Sequence, residues 1–361
     1  MGDIRAEIRL PTNALQDDIA FFTKALKMRL DMIYPADDPR VAVFSGHGLR
    51  LRLEKGAPEL AGTLRILCDE PDAFADGQRS LVAPNGTRIE IAALNPPLVL
   101  PQTEHAFIVR RLADQAPWVI GRAGMNYRDL IPMRLGGSVI ASHIRIPGGG
   151  PVPDMVHYHK VGFQLIFCYK GWVEVLFEDQ GGPIRLFAGD CIIQPPEMRH
   201  RVMEASDGLE VIEIGVPAEH ITLIDHEMTL PTPNLRPDRE WDGQHFVHDI
   251  GKNSDWHPFR VPGFIQRDTT INENTRGVAS VQVVRRATGD IPWVSHDCDI
   301  LFGFVMAGGL TLEGEGEQPN RLACGDAFVI PPNLKTRFGD PTDDLEFLEV
   351  TLPGRFATTM V

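Results

Sequence analysis

Over most of the chain, apolar and polar positions alternate with a period of two. Gly171-Trp-Val-Glu-Val-Leu-Phe-Glu178, residues 183–188 and residues 211–214 read as short strands, and residues 281–284, 310–313 and 347–350 repeat the pattern. Gly and Pro interrupt these runs at close spacing, which is the texture of an all-β sandwich or barrel. The first 98 residues differ. Residues 4–10 predict a strand. Ile19, Phe22, Leu26 and Leu30 then fall at helical spacing and predict a helix over residues 15–30. Strands are expected at residues 40–44, 49–53, 64–68 and 88–92, and Asn95-Pro96-Pro97 marks a boundary.

The barrel-like part of the chain is duplicated. Leu209-Glu-Val-Ile-Glu-Ile-Gly-Val-Pro217 returns as Leu345-Glu-Phe-Leu-Glu-Val-Thr-Leu-Pro353, and Gly189-Asp190 returns as Gly325-Asp326, both at an offset of 136. His159 and Gly171 map to His296 and Gly308 at 137, Trp118 to Trp256 at 138, and Arg128-Asp129 to Arg267-Asp268 at 139. A slowly drifting offset of this length indicates a tandem domain with small loop changes rather than a solenoid of short repeats. The expected organisation is an α+β domain at residues 1–98, a first barrel at 99–230 and a second at 231–361. The proline-bearing stretch 217–245 is read as the linker.

Length and composition narrow the function without naming it. The 361 residues suit two or three domains, and the duplication makes the count three. A formal charge of −14 advertises no basic face, which argues against nucleic acid and against an anionic membrane as partner. No apolar run reaches the length of a transmembrane helix, and the charged start MGDIRAEIRL does not resemble a signal peptide. Cys68, Cys168, Cys191, Cys298 and Cys324 are odd in number and widely spaced, as expected of reduced thiols in a cytoplasmic protein.

Chemistry gathers in the first copy. In His157-Tyr158-His159 the two histidines project from one face of a strand. Gln164 follows five residues later, and His200 stands eleven residues after Gly189. Three neutral imidazoles from two strands, with one oxygen donor, suit a mid-row divalent metal with open positions for substrate or dioxygen. His143, on the strand that enters the barrel, is a candidate proton carrier if it lines the pocket, and a hydrogen-bonded structural histidine otherwise. Gln194 and Cys191 lead toward His200, so either could reach the cavity. Cys168 is read as an apolar wall residue. Arg199 and Arg201 share the face opposite His200, and His245, His248, Trp256 and His257 read as packing or surface positions.

The spacing Gly150…His157-x-His159-x4-Gln164-x6-Gly171, followed by Gly189-x5-Pro195-x4-His200, resembles the two cupin motifs. The duplicated arrangement resembles the bicupins. The fold implied is mainly β: two tandem cupin (double-stranded β-helix, jelly-roll) barrels preceded by the small α+β domain. The resemblance implies that His157, His159 and His200 bind the metal and that Gln164 stands where the family usually has Glu. Gln leaves the metal its full charge and favours an anionic chelating ligand. It either ligates or holds a metal-bound water. In the second copy Val294, Leu301 and Thr336 replace His157, Gln164 and His200, and only His296 remains. That copy is expected to be structural or to form a homodimer. The cluster His296-Asp297-Cys298-Asp299 alternates faces and is read as a solvated strand end.

The first 98 residues resemble a compact glyoxalase/bleomycin-resistance (vicinal oxygen chelate) module, on Ala6-Glu7-Ile8-Arg9-Leu10, Phe21-Phe22 and residues 83–91. The resemblance implies ligand positions at Glu7 and Glu90. The next position falls near Thr63, a poor ligand, so a scaffold is expected rather than a second metal centre. Together these readings point to a metal-dependent dioxygenase. Fe(II) is the first choice of metal, with Mn, Ni, Co and Zn as alternatives, and the substrate is a small anionic oxygenated molecule. The alternatives are a metal-dependent isomerase or lyase without redox chemistry, and a small-ligand-binding bicupin without catalysis.

Overall fold

The computed structural model describes residues 7–35, 39–114 and 118–361, and the chain divides into two compact units, Met1–Pro97 and Leu98–Val361. In the smaller unit Ile8–Thr12 pairs in parallel with Leu49–Lys55, which continues antiparallel to Val41–Gly46 and then Arg29–Tyr34. The helix Leu15–Lys24 buries Leu15 and Phe22 in the core formed with Phe44, Leu51 and Leu53. It is shorter than the periodicity predicts. Lys27 takes a left-handed φ of 55°, which ends the helix and releases Arg29–Tyr34 as a strand that the apolar spacing had concealed. A second sheet joins Thr63–Cys68, Arg88–Ala93 and Ser80–Val82. The first residues of the strand expected at 4–10 lie outside the described residues; the described strand begins at Ile8 and runs to Thr12.

The larger unit holds both copies, each folded as two facing sheets. Among the described residues, the first copy combines a seven-stranded sheet containing Phe163–Lys170, Leu209–Val216 and Ile140–Ile146 with a smaller sheet containing Trp172–Phe177, His200–Ala205 and His157–His159. The second copy repeats this with Ile300–Ala307, Glu346–Leu352 and Ser280–Arg286 facing Gly309–Gly314, Thr336–Gly339 and Val294–His296. Side chains alternate faces along each strand, so each large sheet has an inner and an outer set. The outer sets of the two large sheets form one shared core. Phe163, Leu165 and Ile212 of the first copy pack with Phe302, Phe304 and Leu348 of the second.

The copies are also interlocked by exchange. Ile108–Arg110, which precedes the first barrel in sequence, pairs with Ala327–Ile330 of the second, while Val247–Asp249 pairs with Cys191–Ile193 of the first. Side chains repeat the exchange. Arg128 Nη2 donates to the Gly325 carbonyl at 2.6 Å, and Arg267 Nη2 donates to the Gly189 carbonyl at 2.7 Å. Asp326 accepts from the Leu112 amide at 2.7 Å, and Asp190 from the Gly251 amide at 2.9 Å. The repeated Arg128 and Arg267 and the repeated Gly-Asp pairs are therefore the reciprocal clasps of the two barrels. A cut at residue 230 divides the chain without dividing the sheets.

Inside, the copies differ by side-chain volume. The second barrel is filled by Phe264, Phe328, Phe338 and Phe347 with aliphatic neighbours. The corresponding residues of the first are Met125, Ile192, Val202 and Val211. Gly303 makes the filling geometrically feasible: a Cβ there would overlap the Phe328 ring, whereas Ile166 stands at the matching place in the first barrel. At the rim, Arg260 forms a two-pronged pair with Glu349 (2.9 and 2.8 Å) where the first barrel has Gly121 and Glu213. One barrel is packed shut and the other stays open.

Candidate metal centre

His157 and His200 face each other directly across an antiparallel pair of strands, and His159 follows two residues on. Their ring centroids are 4.2 Å (157–200), 5.1 Å (157–159) and 5.2 Å (159–200) apart. One ring nitrogen of each lies within 4.8 Å of the others, and all three side chains are buried. The opposite nitrogens are anchored. His157 Nδ1 donates to the Met155 carbonyl at 2.8 Å and His200 Nδ1 to the Met198 carbonyl at 3.0 Å, while His159 Nδ1 is 2.8 Å from Thr222 Oγ1. A proton held at Nδ1 leaves Nε2 as the basic nitrogen, the tautomer a metal-ligating histidine needs. Thr222 belongs to the strand Thr222–Ile224, which pairs with His157–His159. The segment expected to be only a linker thus completes the site.

Gln164 is buried on the inner face of the large sheet. Its Nε2 donates to Glu213 Oε1 at 2.7 Å, which fixes the orientation of the amide. Its Oε1 is buried without a hydrogen-bond partner among the described residues. A buried amide oxygen left without a donor is costly in an apolar setting and suits a cation. Three anchored imidazoles and this oxygen fit a divalent transition metal in donor type and number. The nearest carboxylate to the amide is Glu213, on the neighbouring strand, which accepts its hydrogen bond.

The site opens into a cavity of about 600 Å³. His159, His200, Gln194 and Glu213 line one end of it, along with Ser142, Thr222 and His220, and Arg134 and Glu219 stand at its rim. His220 Nδ1 donates to the Pro217 carbonyl at 3.0 Å, and its ring lies 5.4 Å from that of His159. Glu213 was legible in principle, because it shares the strand face of Leu209 and Val211, an acid on an apolar face. Arg134 and His220 sit in loops, where periodicity carries no signal.

His143 does not line the cavity. Its strand neighbours Ser142 and Ile144 do, so alternation turns His143 to the outer face. There its ring meets Trp118, Tyr169 and Phe304 edge-on. Arg128 Nη2 donates to its Nδ1 at 3.2 Å, and its Nε2 donates to Glu210 Oε2 at 2.7 Å. Burial pushes its pKa below the usual histidine range, against the opposing pull of the Glu210 hydrogen bond. Its place is the clasp between the barrels. Gln194 does reach the cavity, whereas Cys191 is buried in the core between the barrels. Cys168 is buried and its thiol is pushed up to about 12 by burial, consistent with an inert wall residue. Arg199 stacks on Tyr158 at 3.9 Å and pairs with Asp225 at 3.2 Å, outside the barrel.

In the second barrel His296 is buried, but its Nδ1 accepts from the Cys298 amide at 3.1 Å, the reverse of the anchoring in the first barrel. Burial, with the nearby Arg260 charge, lowers its pKa to about 4. In the smaller unit Glu7 pairs with Arg50 at 2.7 Å, and Glu90 and Thr63 are exposed. Among the described residues, the one cluster of three or more His, Cys, Asp or Glu donors with metal-site spacing is the histidine triad.

No family model and no curated protein sequence matches the chain. Solved structures do. The chain is similar to an oxalate decarboxylase of Bacillus subtilis at 13% identity and a TM-score of 0.54, over 72% of this chain and 82% of that one. It is similar to a salicylate 1,2-dioxygenase of Pseudaminobacter salicylatoxidans at 14% identity and a TM-score of 0.53, over 73% and 90%. A variant of the latter enzyme in complex with gentisate matches at 16% identity with the same TM-score. These likenesses show the fold, a bicupin-type arrangement of two tandem barrels, and the three-histidine cluster stands in the first of them. Among the described residues, no helix is long and apolar enough to cross a membrane.

Proposed function

We propose that the chain is a metal-dependent dioxygenase. His157, His159 and His200, with Gln164 Oε1, hold a divalent transition metal, Fe(II) first, and the substrate is a small anionic oxygenated molecule of the aromatic or diketone type. The observation that carries the reading is the triad itself: three buried imidazoles whose Nδ1 atoms are tied back, so that their basic nitrogens converge. When bound, the metal supplies a template and redox partner for substrate and dioxygen. Four neutral donors would leave the metal's charge uncompensated, and Glu213, which accepts from the Gln164 amide, would offset part of it.

The remaining work falls to the chain's own side chains. Arg134 lines the cavity, with its charge shared between Asp129 at 3.4 Å and Glu219 at 3.9 Å. His220 keeps its Nδ1 proton on the Pro217 carbonyl, which leaves Nε2 to take up a proton from an acidic substrate group. The aliphatic walls exclude water from the reacting end. Glu213 and His220 also line the same cavity, a carboxylate and an imidazole of the kind proton transfer uses. That favours, as the second reading, an isomerase or lyase without redox chemistry, and one of the solved structures similar to this chain is a decarboxylase. The smaller unit is proposed as a glyoxalase-like scaffold without a metal of its own.

The test is oxygen uptake by Fe(II)-reconstituted protein with small anionic diketones and hydroxylated aromatic acids. Oxygen consumed in step with product supports a dioxygenase. Turnover unchanged under strict anaerobiosis removes that reading in favour of the lyase or isomerase. Ligand affinity without any product marks a binding protein. Full metal content in His157→Ala, by elemental analysis, would refute the site assignment.

A further inference from the structure

The cavity has two chemically distinct ends, and the strand register says which residues lie where. On Leu209–Val216 the inner residues run Glu213, Val211, Leu209, and on Ile140–Ile146 they run Ser142, Ile144, Ile146, with Glu213 opposite Ser142, Val211 opposite Ile144 and Leu209 opposite Ile146. The facing sheet follows the same order, from His200 to Val202. Most polar groups lie at the triad end, and the wall beyond them is mainly aliphatic, with the aromatic ring of Tyr127 opposite Ile144. Four residues separate Glu213 from Leu209, a depth of about 13 Å at about 3.3 Å per residue. The metal end takes up part of this. The remainder accommodates about eight carbon atoms of an extended chain with bonds of about 1.5 Å.

We propose that the substrate is an amphiphile: an anionic, oxygen-chelating head at the triad end and a saturated hydrocarbon tail of about eight carbons along Ile144, Val202 and Val211. This rests on the triad as the head site and adds the class of molecule it takes. A head alone would leave most of the 600 Å³ unfilled. The second barrel supplies an internal comparison, since Phe338 and Phe347 fill it at the positions of Val202 and Val211. The slot exists because these positions carry small side chains.

The experiment measures binding of straight-chain alkyl hydroxamic acids, from acetohydroxamic to dodecanohydroxamic acid, to zinc-loaded full-length protein by calorimetry. The matching alkyl carboxylates are titrated into metal-free protein. Affinity is expected to rise about fourfold per methylene, then to stop rising near the eight-carbon tail. Val202→Phe and Val211→Phe should move the break to shorter chains. Affinity independent of chain length, or rising without a break to the longest probe, overturns the proposal. If a Phe variant fails to fold, the break on the unmodified protein still decides. Chain-length dependence in metal-free protein stands whether or not oxygen is consumed, so failure of the dioxygenase reading and failure of the tail slot are separate results.

Discussion

Arg267→Met tests the clasp between the barrels most directly. Arg267 is 4% exposed, donates to Asp249 Oδ2 at 2.6 Å and to the Gly189 carbonyl at 2.7 Å, and Asp249 is itself buried beside it. The substitution keeps much of the volume and strands a buried carboxylate, a change that costs about 3–5 kcal/mol. For a unit of this size each kcal/mol moves the melting temperature by about 2–4 °C, so a fall of about 6–20 °C is expected by scanning calorimetry at pH 8. The pH dependence gives the sign. Burial already raises the Asp249 pKa, with Arg267 holding it down in part. An acid whose folded pKa is raised lends its stability at low pH and loses it as pH rises through that value. Without Arg267 the rise is larger, so the gap between variant and parent should widen toward alkaline pH and narrow near pH 5. Asp249→Leu added to Arg267→Met should recover most of the loss. A variant that melts within about 2 °C of the parent at pH 8, or loses as much at pH 5 as at pH 8, would refute the reasoning.

Three further outcomes follow from the same geometry. Gln164→Glu sets two carboxylates at hydrogen-bonding distance, where the metal-free protein must share one proton between them; it should be less stable at pH 8 than at pH 5 relative to the parent, and should release a proton on binding zinc, both readable by calorimetry. Gly303→Ala pushes a methyl into the Phe328 ring and should cost about 1–3 kcal/mol in urea unfolding, while Gly303→Ala with Phe328→Leu should lose less. His296 excludes a proton in the folded state, so its contribution is full above pH 6.5 and is lost as pH falls toward about 4, a change of up to about 3 kcal/mol; His296→Gln should flatten the stability profile across that window, and an unchanged slope would show that another group carries it.

The sequence alone determined the features that depend on local periodicity and on repetition. Alternation of period two identified the strands, the drifting offset exposed the duplication, and the spacing of His157 and His159 set two imidazoles on one strand face, with Gln164 and His200 on strands that follow. The loss of His157, Gln164 and His200 in the second copy was equally visible there. What the tertiary structure decided is non-local. Alternation says that His143 and Ser142 face opposite ways but not which face is inner, and the packing of Phe163 and Phe302 between the barrels settles it. The short helix end at Lys27 depends on one left-handed residue within an apolar pattern that runs on. Loop residues have no period, so Arg134 and His220 reach the cavity only because strands distant in sequence bring them there. The exchange of Ile108–Arg110 and Val247–Asp249 between barrels belongs to the same class, because a strand's own residues do not specify which sheet edge it completes. The role of Gln164 joins the two levels: its identity was legible, and its partner Glu213, on another strand, decides which way the amide points.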